Sequence, residues 1–171
     1  MENFTNETID TKALPRFEQV QLSPIDAKYW HVILISIFGF FLLGVAIMVA
    51  LIFLVEEEIE HKLLIFSAYT AVFVIALLLS RISFKKKAYA FRNHDVIFRS
   101  GIIATNTMVI PYNRVQHVAL HEGFIARFFG LAKVEIFTAG GVSSDLEIPG
   151  IAKAEAENIK HLLMGKIQKQ L

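Results

Sequence analysis

Two stretches without a charged side chain, Val32 to Val55 and Leu63 to Ser80, lie back to back with only Glu56-Glu57-Glu58-Ile59-Glu60-His61-Lys62 between them. As helices rising 1.5 Å per residue they measure about 36 Å and about 27 Å, against a hydrocarbon core of about 30 Å. The first crosses with some tilt, and the second is just long enough if Arg81 snorkels to the interface. Lipid offers no water to satisfy the backbone, so both must be helical. A pair of core helices in a soluble protein is the alternative, but helices apolar on every side rarely suit a 171-residue chain. A cleaved signal peptide fits poorly, because thirty-one residues precede the first stretch and five of them are acidic. The expectation is a two-helix transmembrane hairpin over residues 29–84, with Tyr29 and Trp30 in the interfacial aromatic belt.

Orientation follows from the Lys and Arg near the span ends. The connector carries only Lys62, the preceding segment Lys12, Arg16 and Lys28, and the following segment Arg81, Lys85, Lys86, Lys87 and Arg92. That pattern puts both termini in the cytoplasm and the acidic connector outside. The net charge of +1 hides a division: residues 1–31 sum to −2, residues 56–62 to −3 and residues 81–171 to +6. The basic surplus lies beside an anionic leaflet, where each cation adds on the order of 1 kcal/mol of attraction. These cations fix topology; contact of Arg81, Lys85, Lys86, Lys87 and Arg92 with anionic phospholipid headgroups is the further expectation. The chain has no cysteine, which excludes disulfides, thiolate metal sites and cysteine nucleophiles and suits a reducing cytoplasm.

Residues 1–28, with Pro15 and Pro24 and little apolar periodicity, read as a mostly irregular cytoplasmic arm. Beyond the lysine run the period changes to two. Strands are predicted over Tyr89 to Arg92 and Asp95 to Arg99, with Asn93-His94 as the hairpin turn. Ser100-Gly101 reads as the next turn, Ile102 to Ile110 as a third strand ended by Pro111, and Arg114 to His121 as a fourth. Strict alternation puts Val115, His117, Ala119 and His121 on one face of that strand and Gln116, Val118 and Leu120 on the other. Phe124 to Gly130 reads as a short helical turn, Ala132 to Thr138 and Asp145 to Ile148 as strands, and Gly140-Gly141 and Pro149-Gly150 as turns. Ala152, Ala156, Ile159, Leu163 and Ile167 then recur at helical spacing and predict an amphipathic C-terminal helix. Residues 85–171 thus form an α+β unit of antiparallel strands capped by a helix.

Several of these residues carry a resemblance. Ile110-Pro111-Tyr112-Asn113-Arg114-Val115-Gln116-His117-Val118 resembles the IP-x-x-R-I-Q-x-V core of bacterial pleckstrin-homology (PH) domains. Phe124-Ile125-Ala126-Arg127-Phe128-Phe129-Gly130-Leu131-Ala132 resembles the x-x-x-R-x-x-G-L-A segment that follows it. Thr138-Ala139-Gly140-Gly141 and Arg99-Ser100-Gly101 match the T-A-G turn and the R-x-G strand ending, in the same order across residues 85–165. With two preceding spans, the architecture is similar to the YdbS-like membrane proteins. The resemblance implies two roughly orthogonal antiparallel sheets capped by the C-terminal helix. It also implies companions that are membrane proteins with such modules, acting together in envelope maintenance or defence. It implies little about activity, since fold does not fix function.

Candidate site residues carry two readings each. Arg114, behind Pro111 and beside Gln116, either faces a lipid phosphate or an acidic partner or fixes the start of a strand. Arg127 and Gly130 either contact a partner or tie down the short helix, Gly130 by a backbone conformation other residues resist. His94, His117 and His121 lack the spacing and the converging ligands a metal needs. Gly140-Gly141-Val142-Ser143-Ser144-Asp145 leads into a strand rather than a helix N-terminus, so it reads as a polar hairpin loop and not a phosphate loop. Arg92 and Arg99 are too sparse for a dedicated inositol-phosphate site. Ala46 and Ala50, like Ser67 and Ala71, are spaced four apart, as close helix packing prefers. No catalytic residue, metal, cofactor or nucleic-acid partner is expected. The reading is a non-enzymatic protein of the bacterial inner membrane whose module binds another membrane PH-domain protein or a second copy of itself; the alternative is a sensor of anionic lipid.

Overall fold

A computed structural model describes residues 8, 10, 19–54, 61–139 and 145–168. The acidic connector from Glu56 to Glu60, most of the N-terminal arm and the Gly140–Ser144 loop lie outside the described residues. The two apolar stretches form helices α1 (Tyr29–Leu54) and α2 (Lys62–Lys86). Protein buries only Val32 of α1 and nothing of α2, so lipid must cover the rest. Phe41 stacks on Tyr69 and Phe73 at 5.1 and 4.1 Å, and Phe38 meets Phe73 edge-on at 5.1 Å. Tyr69 Oη donates to the Phe41 carbonyl at 3.2 Å. A Cβ at Gly44 would lie 2.0 Å from that hydroxyl, so glycine makes room for it. The close approach is therefore an aromatic ring received by one glycine. Ala46, Ala50, Ser67 and Ala71, whose spacing permits such an approach, are exposed.

Helix α2 continues six residues past the apolar stretch. No glycine or proline interrupts it, and Lys85 and Lys86 place positive charge on the negative end of its dipole. Lys87 then turns extended (φ −74°, ψ 120°) and strand β2 begins at the next residue. One four-stranded antiparallel sheet has the order β1 (Ser23–Pro24), β2 (Ala88–Phe91), β3 (Asp95–Gly101), β4 (Thr105–Pro111). A second has the order β5 (Val115–His121), β6 (Leu131–Thr138), β7 (Leu146–Ala152). The short helix α3 (Phe124–Phe128) links β5 to β6, and α4 (Lys153–Gln168) closes the unit. Ala156, Ile159 and Leu163 of α4 share one core with Val96, Val134, Ile136 and Ile148. This is the α+β arrangement that the strand period and the closing helix predicted, with the two PH-like sheets that the resemblance implied.

The mostly irregular arm carries one short pairing, Ser23 and Pro24 with Tyr89 and Ala88 at a sheet edge, where proline's missing N–H is tolerated. Four local expectations are corrected. Strand β3 runs through Ser100-Gly101, and Ile102 to Ala104 makes the turn. Arg114 lies not in a strand but in a 3₁₀ turn, Tyr112–Arg114. The register then slips between Val115 and His117, a bulge that leaves Gln116 unopposed and exposed. Val115 and Val118 are both buried as a result, which strict alternation cannot give. Strand β7 likewise runs through Pro149-Gly150, taking up a second slip with Gly150 at φ +68°.

At the far end of the second sheet, Asp145 Oδ2 accepts from the Thr138 hydroxyl at 2.5 Å and the Thr138 N–H at 2.8 Å. Those two bonds, the hydroxyl first, hold its pKa below the ordinary carboxylate value. A depressed carboxylate stabilises the fold above its unfolded pKa and loses that contribution as pH falls through its folded one. Thr138→Val is therefore expected to move the Asp145 titration, followed by carboxyl carbon NMR, upward and to leave stability near neutral pH less dependent on Asp145. An unchanged midpoint would mean the hydroxyl does not set it.

Candidate functional site

Chain direction gives the module two poles. β2 leaves the end of α2, so the β2–β3 turn lies away from the hairpin and the β3–β4 turn returns toward it. With seven residues at about 3.3 Å each, the poles are roughly 20 Å apart.

The near pole is bolted to the hairpin by several contacts. The Asp26 N–H donates to the Gly150 carbonyl at 2.8 Å, and Tyr29 packs so closely on Gly150 that a Cβ there would sit 2.6 Å from its ring. His31 stacks on Phe129 after α3 at 5.9 Å. Lys86 Nζ donates to the Ile102 carbonyl at 2.5 Å. The Arg81 guanidinium lies 4.7 Å over the Trp30 ring, which in turn meets Phe84 at 5.7 Å. A cavity of about 430 Å³ opens between the hairpin and the module here, with Val32, Lys87, Phe98, Ser100, His121 and Ala126 in its wall.

Of the five residues expected at lipid, Arg81, Lys85, Lys86 and Lys87 all lie at this pole. Lys85 is exposed. Lys87 instead lines the cavity, and burial pushes its pKa below the usual lysine value. Arg92 stands apart at the far pole. Its Nε donates to Asp95 Oδ1 at 2.6 Å and Nη2 pairs with Oδ2, which raises its pKa, and its carbonyl accepts the Tyr112 hydroxyl at 2.6 Å. The expectation of a lipid contact overlooked the Arg-x-x-Asp spacing astride the two-residue turn, the signal that could have pointed to this bridge.

The partner candidates also divide. Pro111, Arg114 and Gln116 are exposed at the far pole. There a shallow cleft of about 300 Å³ is lined by Asn93, His94, Pro111, Tyr112, Asn113 and Lys166. Lys166 Nζ donates to the Asn93 carbonyl at 3.0 Å, and burial pushes the Tyr112 phenol up to about 12. The Arg114 carbonyl accepts from the Ala139 N–H at 3.3 Å, while its guanidinium has no hydrogen-bond or ion-pair partner among the described residues. Arg127 and Gly130 lie at the near pole with α3. Gly130 adopts φ +67° and its carbonyl accepts the Lys153 N–H at 2.9 Å, so it closes α3 and starts α4's approach. The five residues therefore do not form one surface.

The histidines are dispersed. His117 stacks on Phe137 at 4.1 Å, His121 borders the near cavity and His94 the far cleft. Among the described residues no three His, Asp or Glu side chains converge in a way that would hold a metal.

The family model for the bacterial PH domain matches residues 32–167, taking in both helices and nearly all of the module. The chain belongs to that family. It is 30% identical over 87 residues to the UPF0699 transmembrane protein YdbS of Bacillus subtilis (strain 168), covering 51% of this chain and 53% of that protein. It is 26% identical over 100 residues to the UPF0699 transmembrane protein YdbT of the same organism, covering 58% of this chain and 20% of that protein. The chain thus spans about half the length of one of these relatives and a fifth of the other. No solved structure matches it. A YdbS-like membrane protein with a PH-like module is the description that sequence, fold and relatives share.

Proposed function

We propose that this membrane protein is a non-enzymatic binding protein, whose hairpin presents the PH-like module on the cytoplasmic side so that its far pole meets another membrane protein bearing such a module. The observation that carries this reading is the Arg114 guanidinium, without a partner among the described residues, beside exposed Gln116 and the far cleft, on a module whose other pole is taken up by the hairpin. Two relatives of very different length in one organism share stretches with this chain, which supports a hetero-assembly within the family. Tethering both partners in one bilayer raises their effective concentration without any new contact. Envelope maintenance or defence is the setting the family resemblance suggests.

A photo-crosslinker at Gln116 of the full chain in native membranes is expected to capture one membrane protein in stoichiometric amount. Arg114→Glu is expected to cut capture by about tenfold, the factor for losing one charge-assisted contact. Capture of a second copy alone would turn the reading to self-association. No capture, or capture indifferent to Arg114→Glu, would end it.

A second reading, general sensing of anionic lipid, draws on the exposed Arg81 and Lys85 at the hairpin base and on the +6 charge of residues 81–171. Attraction of this kind is diffuse and weakens with salt.

A further inference from the structure

The near cavity has a composition the diffuse reading does not use. Lys87 is the residue between α2 and β2, two positions before Tyr89, which is 6% exposed in the core. Alternation therefore turns Lys87 to the side of Tyr89, into the module, while Lys85 stays outside. The other ammonium in the cavity wall, Lys133, is held by Glu135 at 2.6 Å and at 2.9 Å by Glu147, which also lines the wall, so that Lys87 supplies the cation not matched there. No carboxylate pairs with Lys87 among the described residues, and burial holds its pKa down. A half-buried ammonium without a counter-charge is costly, and an anion in the cavity would relieve it.

The rim says where such an anion comes from. Val32 of α1, at the start of the membrane span, forms one wall, with Phe98 and Ala126 adding further apolar surface. The loops on either side carry large apolar residues facing outward. Ile103, beside the Ile102 carbonyl that Lys86 holds, is 95% exposed. Phe124 and Phe128 of α3, which packs on the first turns of α1, are 73% and 72% exposed. Apolar residues of this size, continuous with the spanning helices, belong in the lipid interface rather than in water.

From this geometry we infer that the near cavity is a binding site for the phosphate of an anionic phospholipid, with Lys87 Nζ as its cationic contact, Ser100 as a hydroxyl donor in the wall, and Val32, Phe98 and Ala126 receiving the apolar part below the headgroup. The site is distinct from the diffuse attraction of Arg81 and Lys85, and it requires only that the module sit at the bilayer, not that the partner reading hold.

The full chain in uncharged detergent micelles provides the test, with phosphatidylglycerol, phosphatidylcholine or inorganic phosphate added. Retention is read by native mass spectrometry and stability by the unfolding midpoint. Wild type is expected to retain phosphatidylglycerol in preference to phosphatidylcholine. Lys87→Met is expected to lower that retention about tenfold, as for loss of one hydrogen bond to a charged group, while Lys85→Met leaves it unchanged. In micelles without added lipid, Lys87→Met is expected to unfold no lower than wild type, since it removes an unpaired cation, and this also shows that the variant folds. Equal retention of the two lipids, equal loss in both variants, or inorganic phosphate stabilising as well as phosphatidylglycerol would each overturn the assignment. Arg114→Glu leaves lipid retention unchanged, so failure of the partner reading and failure of this one register separately.

Discussion

Gly150→Ala is expected to loosen the module from the hairpin at a cost of about 2–5 kcal/mol, the sum of two separable penalties. One is conformational: Gly150 sits at φ +68°, where a side chain costs roughly 1–2 kcal/mol. The other is steric: the new Cβ would lie 2.6 Å from Cγ and 2.7 Å from Cβ of Tyr29, and overpacking of this kind costs about 1–3 kcal/mol. Tyr29 cannot simply swing aside, because its backbone is fixed by the Asp26 carbonyl and the Asp26 N–H is bonded to Gly150 itself. A cycle with Tyr29→Gly separates the two, since alanine would keep the Cβ that lies 2.7 Å away, whereas removing the whole side chain removes the clash and leaves the backbone penalty. Coupling of about 0.5–3 kcal/mol is expected between the sites. Spin labels at Ile47 on α1 and Glu157 on α4 give a second readout in a chain without native cysteine. Their distance distribution is expected to be narrow in wild type and broad in Gly150→Ala. A neutral substitution with additive energies would show that the bulge does not carry the docking.

Tyr112→Ala is expected to be the most damaging change at the far pole, at about 3–5 kcal/mol, as for other large aromatic truncations. Tyr112 is 2% exposed and packs in the shared core, so alanine leaves a void between the sheets. Tyr112→Phe keeps the ring but takes the donor from the Arg92 carbonyl, at a cost of about 1–3 kcal/mol if water cannot replace it. The phenol also predicts an alkaline limit. Burial first, and the Asp95 charge second, raise its pKa to about 12. A raised acid stabilises the fold fully below its unfolded value near 10 and loses that stabilisation as pH climbs toward 12. Wild type is expected to lose stability over that window and Tyr112→Phe to lose less, as measured by denaturant midpoints. If the two variants were equally destabilised, the hydroxyl rather than the ring would be the anchor.

The hairpin was legible because it depends on a local property, an uninterrupted apolar run. Most strands were legible because period two survives where one face is buried, as in Ala132, Val134 and Ile136 of β6. What escaped were features that belong to pairs of strands. Gln116 became an extra residue only through the register of β5 on β6, and Pro149-Gly150 reads as a turn unless β6 is known to lie beside it. The Ser23–Pro24 strand is too short to show any period. At the candidate sites, composition grouped Lys85, Lys86 and Lys87 as one basic run. The structure gives them three fates: an exposed cation, a cap on the Ile102 carbonyl and a cavity wall. Counting back from Tyr89 would have singled out Lys87. Nothing local announced that residues near Asp26 would dock at Gly150, because that contact spans most of the chain.

Only Lys87 separates the last helical residue of α2 from the first residue of β2. A joint that short has no slack. Whatever tips the two helices, such as a thinner or thicker bilayer, swings Arg114 and the far cleft through the same angle. On the proposed reading the protein is a lever whose handle lies in lipid and whose working tip is about 20 Å beyond it.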